Sequence, residues 1–413
     1  MKILFVVPYP PSLIRVRPYN LIRELSRRGQ QVTVATLWSD ENERKDGELL
    51  RSVAHQVRLV RQPRWRSYLN CVLALPSGSP LQSVYSWNPN LVGNLNGSVK
   101  SPDGKPDFDL VHVEHLRGSR FGLHVKRLNP QLPVVWDSVD CISLLFKLAS
   151  GRSKKITSRA LTSFELGRTR HYESWLLGQF DHTLVTSSID REAMLDLSGY
   201  GTERAKRISV LPNGVDLDYF TPDENTLREA DTLVVSGKMS YHANVTMVMY
   251  LVEQIMPRVW ATRPEAKLWI VGKDPVPEIR TLNQNPKITV TGTVDDIRPY
   301  LRGASVAVSP VIYGVGIQNK VLEAMACGTP VVSTPQAVST LNVTHGNDVL
   351  IAENPDVFAR YVLRILNDHT YRDQIGKTGR KYVETNHDWS EITKKLEIIY
   401  YETIERRKSE VGL

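Results

Sequence analysis

Short apolar runs rich in β-branched residues recur along the chain, each followed by turn chemistry and then a longer stretch whose apolar positions fall three and four apart. A strand covered on both faces reads as such a run and a helix lying on a sheet as such a stretch, so the alternation predicts parallel sheets built from βα units. The runs of the first half are Ile3–Val7, Val32–Thr36, Leu110–Glu114, Val134–Trp136 and Thr183–Thr186. Those of the second are Leu233–Ser236, Leu268–Val271, Ile288–Thr291, Val306–Ser309, Val331–Ser333 and Val349–Ala352. Two successive doubly wound sheets fit this pattern better than one. Between the sets, Val210 to Asp216 runs into Pro212 and the Asn213-Gly214 turn, the chemistry of a linker. The expected domains are therefore 1–207 and 208–388. Trp389 to Lys408 has helical period through Ile392, Leu396, Ile399, Tyr400 and Ile404, and is expected to pack back on the first domain. Residues 76–106, rich in Pro, Gly, Ser and Asn, read as an irregular insertion, and Ser150–Leu177 reads as a helix with many bases.

A chain of 413 residues exceeds one ordinary core, which agrees with two domains. Hydrophobic residues at 41% and charged ones at 23% place it among globular proteins. Cys71, Cys141 and Cys327 are far apart and odd in number, so free thiols in a reducing, cytoplasmic compartment are expected. The opening run ends at Pro8, too short for a signal-peptide core or a membrane span. The net charge of +8 is uneven: residues 1–205 hold 28 Lys/Arg against 19 Asp/Glu, and 206–413 hold 24 against 25. Lys147, Arg152, Lys154, Lys155, Arg159, Arg168 and Arg170 face only Glu165 in their stretch. Such a stretch either forms a solvated helix face or attracts an anionic surface, and a peripheral contact of the first domain with an anionic membrane is one expectation. Nucleic acid is not expected, since no zinc, helix-turn-helix or RNA-binding signature accompanies the bases.

The segment from Tyr313 to Val332 reads as glycine loop, helix and strand, following the run Val306–Ser309. Gly314 and Gly316 let an anion approach the backbone, and the following helix start, with Ile317 and Asn319, offers unpaired N–H groups, a cradle for a diphosphate. Lys320 can add a charge-assisted bond to the same phosphates, and Glu323, one turn on and on the same face, can accept a ribose diol. A surface ion pair beside a tight turn is the competing account of Lys320 and Glu323. Gly237 and Lys238 follow another apolar run, at the carboxyl end where open α/β sheets bind ligands. In the first half, Arg15 and Arg17 fill the first strand-to-helix loop, and either is expected to reach the donor. Asp137, Ser138 and Asp140 follow the run ending at Trp136 and can position an acceptor hydroxyl or cap a helix. Of His112 and His115, the latter is the expected site residue. No metal-binding spacing, nucleophile elbow or dinucleotide fingerprint occurs, so neither a metal nor a nicotinamide cofactor is expected.

These features resemble glycosyltransferase family 4, and within it bacterial transferases of exopolysaccharide systems. The resemblance covers most of the chain. Its carriers are Val6 to Pro11 with Arg17, Trp136 to Asp140, Pro212 to Asp216, Gly292 to Asp296 and, most specifically, Gly316 to Ala326 with Gly328 and Pro330 to Val332. It implies a GT-B fold: α/β, two Rossmann-like domains facing a cleft, with the nucleotide diphosphate sugar on the C-terminal domain and the acceptor on the N-terminal one. It further implies retention of configuration, no cofactor, no obligatory metal, and a glycan or lipid-linked acceptor. Glu323 matches the ribose-binding glutamate of the family's paired motif, and Lys238 its phosphate-binding base. Two positions depart: Val315 stands where the motif's first glutamate belongs, and Tyr241 to Asn244 fill the turn of a second phosphate-binding lysine, for which Lys320 is the expected substitute. A same-fold nucleotide-sugar epimerase and a non-catalytic nucleotide-sugar-binding subunit remain the alternatives.

Overall fold

The computed structural model describes residues 1–12, 15–99, 106–152, 156–199, 205–223, 226–313 and 317–411. The chain separates into two compact units, Met1–Pro212 together with Trp389–Leu413, and Asn213–Asp388. The first contains β1 (Lys2–Val7), β2 (Gln31–Trp38), β3 (Gln56–Arg61), β4 (Leu110–Glu114), β5 (Val134–Val139), β6 (His182–Val185) and β7 (Ile208–Val210), in the spatial order β3-β2-β1-β4-β5-β6-β7. The second contains β8 (Glu229–Ser236), β9 (Lys267–Val271), β10 (Ile288–Gly292), β11 (Ala304–Ser309), β12 (Val331–Ser333) and β13 (Leu350–Ile351), in the order β10-β9-β8-β11-β12-β13. Every pairing in both sheets is parallel. In each sheet the order reverses at one place, between β1 and β4 and between β8 and β11, and there the connections leave to opposite sides and open a crevice at the carboxyl ends.

The central strands carry the continuous apolar runs. Ile3 to Val7 are wholly buried because helices cover both faces. The helix Trp389–Val411 turns Trp389, Ile392, Leu396 and Tyr400 toward the first sheet, where they share a core with Ile3, Phe5, Leu21 and Leu25. Polar contacts fix its register: Tyr400 hydroxyl and His112 Nδ1 are 2.8 Å apart, and Glu397 accepts from Arg28 Nε at 2.5 Å and Gln30 Nε2 at 2.6 Å. In the second unit the ends of β8 and β9 touch backbone to backbone. Gly272, at φ +148°, would place a β-carbon 1.8 Å from the Gly237 carbonyl oxygen, so nothing larger fits.

Three expectations change. β3 is a strand although Arg58 and Arg61 break its apolar run; at a sheet edge only Val57 and Val60 need burial. β7, whose Ile208 and Ser209 are expected in the second domain and Val210 in the linker, pairs with β6 from Thr183↔Ile208 onward, so the first unit extends to Pro212 rather than ending at 207. Of the stretch 76–106, residues 100–105 lie outside the described residues and the part before them is not irregular: it holds the helices Leu81–Tyr85 and Pro89–Val99, the second burying Leu91, Leu95 and Val99 at a spacing of four. The basic stretch forms the helices Ile142–Arg152 and Ile156–Leu176, with Lys154 and Lys155 outside the described residues.

Truncating Trp389 to Ala should lower stability by about 3–5 kcal/mol, the usual cost of deleting a buried indole, whereas Ile398→Ala on the exposed face should stay within about 0.5 kcal/mol. Urea-unfolding midpoints of the two variants check this; equal midpoints would show that the last helix is not part of the first core.

Candidate functional site

In the second unit the polar groups collect where the strand order reverses. β8 ends in Ser236 and is followed by Gly237 and Lys238, and β11 ends in Ser309. Between them the helix Asn319–Ala326 presents Lys320 and Glu323. Lys320 Nζ donates to Asn244 Oδ1 at 2.5 Å, and Asn244 Nδ2 donates to the Lys238 carbonyl at 3.0 Å, so one asparagine joins the loop after β8 to the lysine of the other loop. Gly237 makes room for that asparagine, since a β-carbon there would stand 2.7 Å from Asn244 Nδ2. Lys238 itself is half exposed, with its ammonium 3.8 Å from Asp274 Oδ2. Tyr313, the last described residue before Ile317, stacks on His242 and has its hydroxyl 2.9 Å from His242 Nδ1 and 3.1 Å from Thr246 Oγ1.

The electrostatics of this edge are those of a site short of one partner. Burial pulls the Lys320 ammonium down to about 8, with the nearby Glu323 opposing the shift. Burial also pushes the Glu323 carboxyl up to about 7, and Lys320 opposes that. Each group needs more counter-charge or hydrogen bonding than the protein gives it. Among the described residues, Ser309 Oγ, Ser333 Oγ and Asn319 Oδ1 are buried without a hydrogen-bond partner. Unsatisfied polar atoms are rare in a folded interior, and three at one sheet edge mark a place where a polar ligand completes the bonding.

The first unit has its own polar edge, again where its strand order reverses. Arg17, expected at the donor, is 4% exposed and turned into the fold: its Nε donates to Asp137 Oδ2 at 2.8 Å and its Nη1 to the Leu211 and Pro212 carbonyls at 2.9 and 3.3 Å. Asp137, expected to orient an acceptor, is the other half of this buried pair, so both hold the fold at the end of β5. His112 lies against Phe5, 3.6 Å from Asp137, and burial pulls it down to about 4, which makes it a neutral core residue. His115 opens the helix His115–Leu128 in the left-handed region at φ 62°, a strained backbone that active sites and ligand clamps commonly keep. Burial and then Arg117 pull it down to about 4, and its Nδ1 is buried without a partner. Beside it, Glu114 is pushed up to about 8 by burial and the Asp137 charge, with Oε2 likewise unpartnered. Asp140 is raised to about 6 by burial and by Asp190. Next to this edge a cavity of about 130 Å³ is lined by Tyr9, Arg15, Glu43, Gln62, Arg64 and Arg117 among others.

The expected residues therefore fall into two groups. Gly237, Lys238, Ile317, Asn319, Lys320 and Glu323 converge in the second unit, while Gly314 and Gly316, with Val315, lie outside the described residues. His115 and Asp140 stand on the first unit's polar edge, and Arg17 with Asp137 beneath it. Sequence reasoning passed over Asn244, Ser309, Ser333, Glu114 and Arg117. Glu114, Ser309 and Ser333 end parallel strands, and that position alone was a usable signal.

Residues 15–219 match the family model described as Glycosyltransferase Family 4, and residues 230–368 the one described as Glycosyl transferases group 1. The chain belongs to this glycosyltransferase family. It is similar to the capsular polysaccharide biosynthesis glycosyltransferase CapM of Staphylococcus aureus, 25% identical over 53% of this chain and 58% of that one. It is also similar to the GDP-mannose-dependent monoacylated alpha-(1-6)-phosphatidylinositol monomannoside mannosyltransferase of Corynebacterium glutamicum, 29% identical over 45% and 54%. The chain thus spans a little over half the length of these curated relatives. Anabaena HepE, solved in complex with UDP and glucose, superposes with a TM-score of 0.69 at 14% identity, covering 97% of this chain and 100% of that one. That likeness fixes the fold as GT-B.

Because Arg17 and Asp137 are buried together, removing either partner strands a charge. Arg17→Ala and Asp137→Asn should each cost about 3–5 kcal/mol, and the double replacement Arg17→Met with Asp137→Leu should recover most of the loss. Chemical denaturation of the set checks this; single variants as stable as the parent would return Arg17 to the list of ligand-binding candidates.

Proposed function

We propose that the protein is a retaining glycosyltransferase that moves a sugar from a nucleotide diphosphate donor, bound by the second unit, to a hydroxyl of a glycan or lipid-linked acceptor held by the first. The observation that carries the reading is the under-satisfied cluster of Lys320, Glu323, Asn319 and Ser309 at the reversal of the second sheet. A diphosphate supplies what Lys320 lacks, and a ribose diol donates to Glu323. The UDP complexes of HepE and the donor named for the Corynebacterium relative support the same class of co-substrate. The capsular relative supports a place in cell-envelope or exopolysaccharide synthesis; the proposed location is the cytoplasm or the inner membrane face.

The chemistry follows from charge. As the glycosidic bond to the diphosphate breaks, negative charge grows on the leaving oxygens, and cations already in place stabilise it without reorganising. Lys320 is fixed by Asn244, whereas half-exposed Lys238 can swing onto the phosphates. A unit charge about 4 Å away is worth on the order of 4 kcal/mol at an effective dielectric near 20. The acceptor hydroxyl attacks the face the diphosphate leaves and passes its proton to the departing diphosphate oxygen, which preserves configuration. Either Glu114 or the neutral His115 of the first unit can hold the acceptor hydroxyl. Two lysines carry the leaving-group charge in this scheme, with no metal.

A panel of nucleotide sugars with the pure protein and a membrane extract as acceptor source, read by mass spectrometry for nucleoside diphosphate and product, tests the reading. Release from one donor should fall about 100- to 1000-fold in Lys320→Ala, the usual loss for one transition-state donor, with folding retained. Excess EDTA should leave the rate unchanged. Altered sugar released without acceptor would assign an epimerase, and nucleotide binding with neither transfer nor hydrolysis would assign a binding subunit.

The two shifted groups also set a pH window. Diphosphate binding needs Lys320 protonated, so affinity should drop above about pH 8, and ribose recognition needs Glu323 ionised, so it should drop below about pH 7. Titration calorimetry across that range should give a bell whose acid limb disappears in Glu323→Gln and whose alkaline limb disappears in Lys320→Met.

A further inference from the structure

The helix Arg64–Ala74 in the first unit is amphipathic the wrong way round for a soluble protein. Its inward side is small or polar: Ser67 and Ala74 are buried, Ser67 accepts from Gln62 Nε2 at 3.1 Å, and Asn70 donates to the Trp87 carbonyl at 2.9 Å. The outward side carries Trp65, Tyr68, Leu69, Val72 and Leu73, followed by Leu75, each between 46% and 68% exposed. Spacings of three and four place these side chains on one stripe. Phe164, 45% exposed, adjoins its far end, because Arg168 stacks on Phe164 at 4.1 Å and donates to the Leu75 carbonyl at 2.6 Å.

Charge identifies what covers this face. The helix carries no acid, and Arg64 and Arg66 flank its stripe, Arg66 lying over the Trp65 ring at 5.6 Å and Arg64 reaching Asp40 at 3.1 Å with 69% of its side chain exposed, while Arg168 stands at the far end. A Trp- and Tyr-bearing apolar stripe rimmed by arginines is the composition of a helix that lies in a bilayer interface over anionic headgroups. A second copy of the chain fits poorly, because a two-fold contact would set the two arginine rims against each other. We infer that the helix Arg64–Ala74, with Leu75 and Phe164, docks the first unit on an anionic phospholipid surface. Arg64 and Ser67 of the same helix also line the cavity that Tyr9 and Arg117 enclose. Docking therefore brings lipid headgroups beside the first unit's polar edge, where the acceptor is proposed to bind.

The inference deepens the peripheral location proposed above and rests on it. Its test needs neither donor nor transfer, so its failure is told apart from failure of the transferase reading. The full chain is floated with vesicles of phosphatidylcholine alone and with added phosphatidylglycerol. The parent should float with the anionic vesicles, and Trp65→Ser/Leu69→Ser/Val72→Ser should bind at least about tenfold more weakly while keeping its circular dichroism spectrum. Arg64→Glu/Arg66→Glu should lose the preference for phosphatidylglycerol. Equal flotation of the triple variant and the parent, or no flotation of the parent, overturns the inference. A parent dimer that the triple variant dissociates would assign the face to a second copy instead.

Discussion

Both sheets are wholly parallel, and most of this molecule follows from that constraint. A parallel sheet has no hairpins, so each strand is followed by a crossover, and the crossovers must cover both faces. The strands then become continuous apolar runs, and their polar continuations all emerge on one edge. Where the strand order reverses, two neighbouring crossovers diverge and leave that edge open. The residues beyond β8 and β11 in one unit, and beyond β1 and β4 in the other, occupy such openings, and Lys320, Glu323, Ser309, Glu114 and His115, with their perturbed charges or unsatisfied polar atoms, stand there.

The two units spend charge differently. Arg17 and Asp137 are buried face to face and neutralise one another, and Arg17 also donates to carbonyls, which ties the start of the chain to β5 and to the end of β7. Lys320 and Glu323 are charged residues of the same kinds one helical turn apart, yet burial shifts each of them toward its neutral form. A pair of charges that cancel in direct contact is architecture. A pair left wanting has room in its bonding for a guest, and Asn244 keeps the lysine aimed while it waits.

Legibility in the sequence tracked burial. All six strands of the second sheet are visible as apolar runs: the inner strands because they are covered on both faces, and the edge strand β10 because Ile288 and Val290 keep it β-branched although only Ile288 is buried. The edge strands β3 and β7 were not, since an edge needs few buried side chains and tolerates Arg58 or Ser209. Lys320, Glu323 and Lys238 could be found from their place after a strand. Arg17 occupies the same kind of place, and only the geometry of its guanidinium shows that it points inward. Asn244 is not legible, since the residue expected in that turn is a lysine and what the turn supplies is a bridge between two loops. The stripe from Trp65 to Leu75 has a helix's period, and periodicity alone says which residues share a face but not whether that face is turned in or out.

The path of the chain has a consequence for how the protein is made. The first unit is interrupted after Pro212 and resumes only at Trp389, whose helix closes the core around Ile3, Phe5 and Leu21. During synthesis the whole of Asn213–Asp388 must leave the ribosome before that core can be sealed, so the second unit has all its residues while the first still lacks its final helix. The unit begun first is completed last, and until then the apolar groove that awaits Trp389 and Leu396 stands open to any chaperone or neighbouring nascent chain.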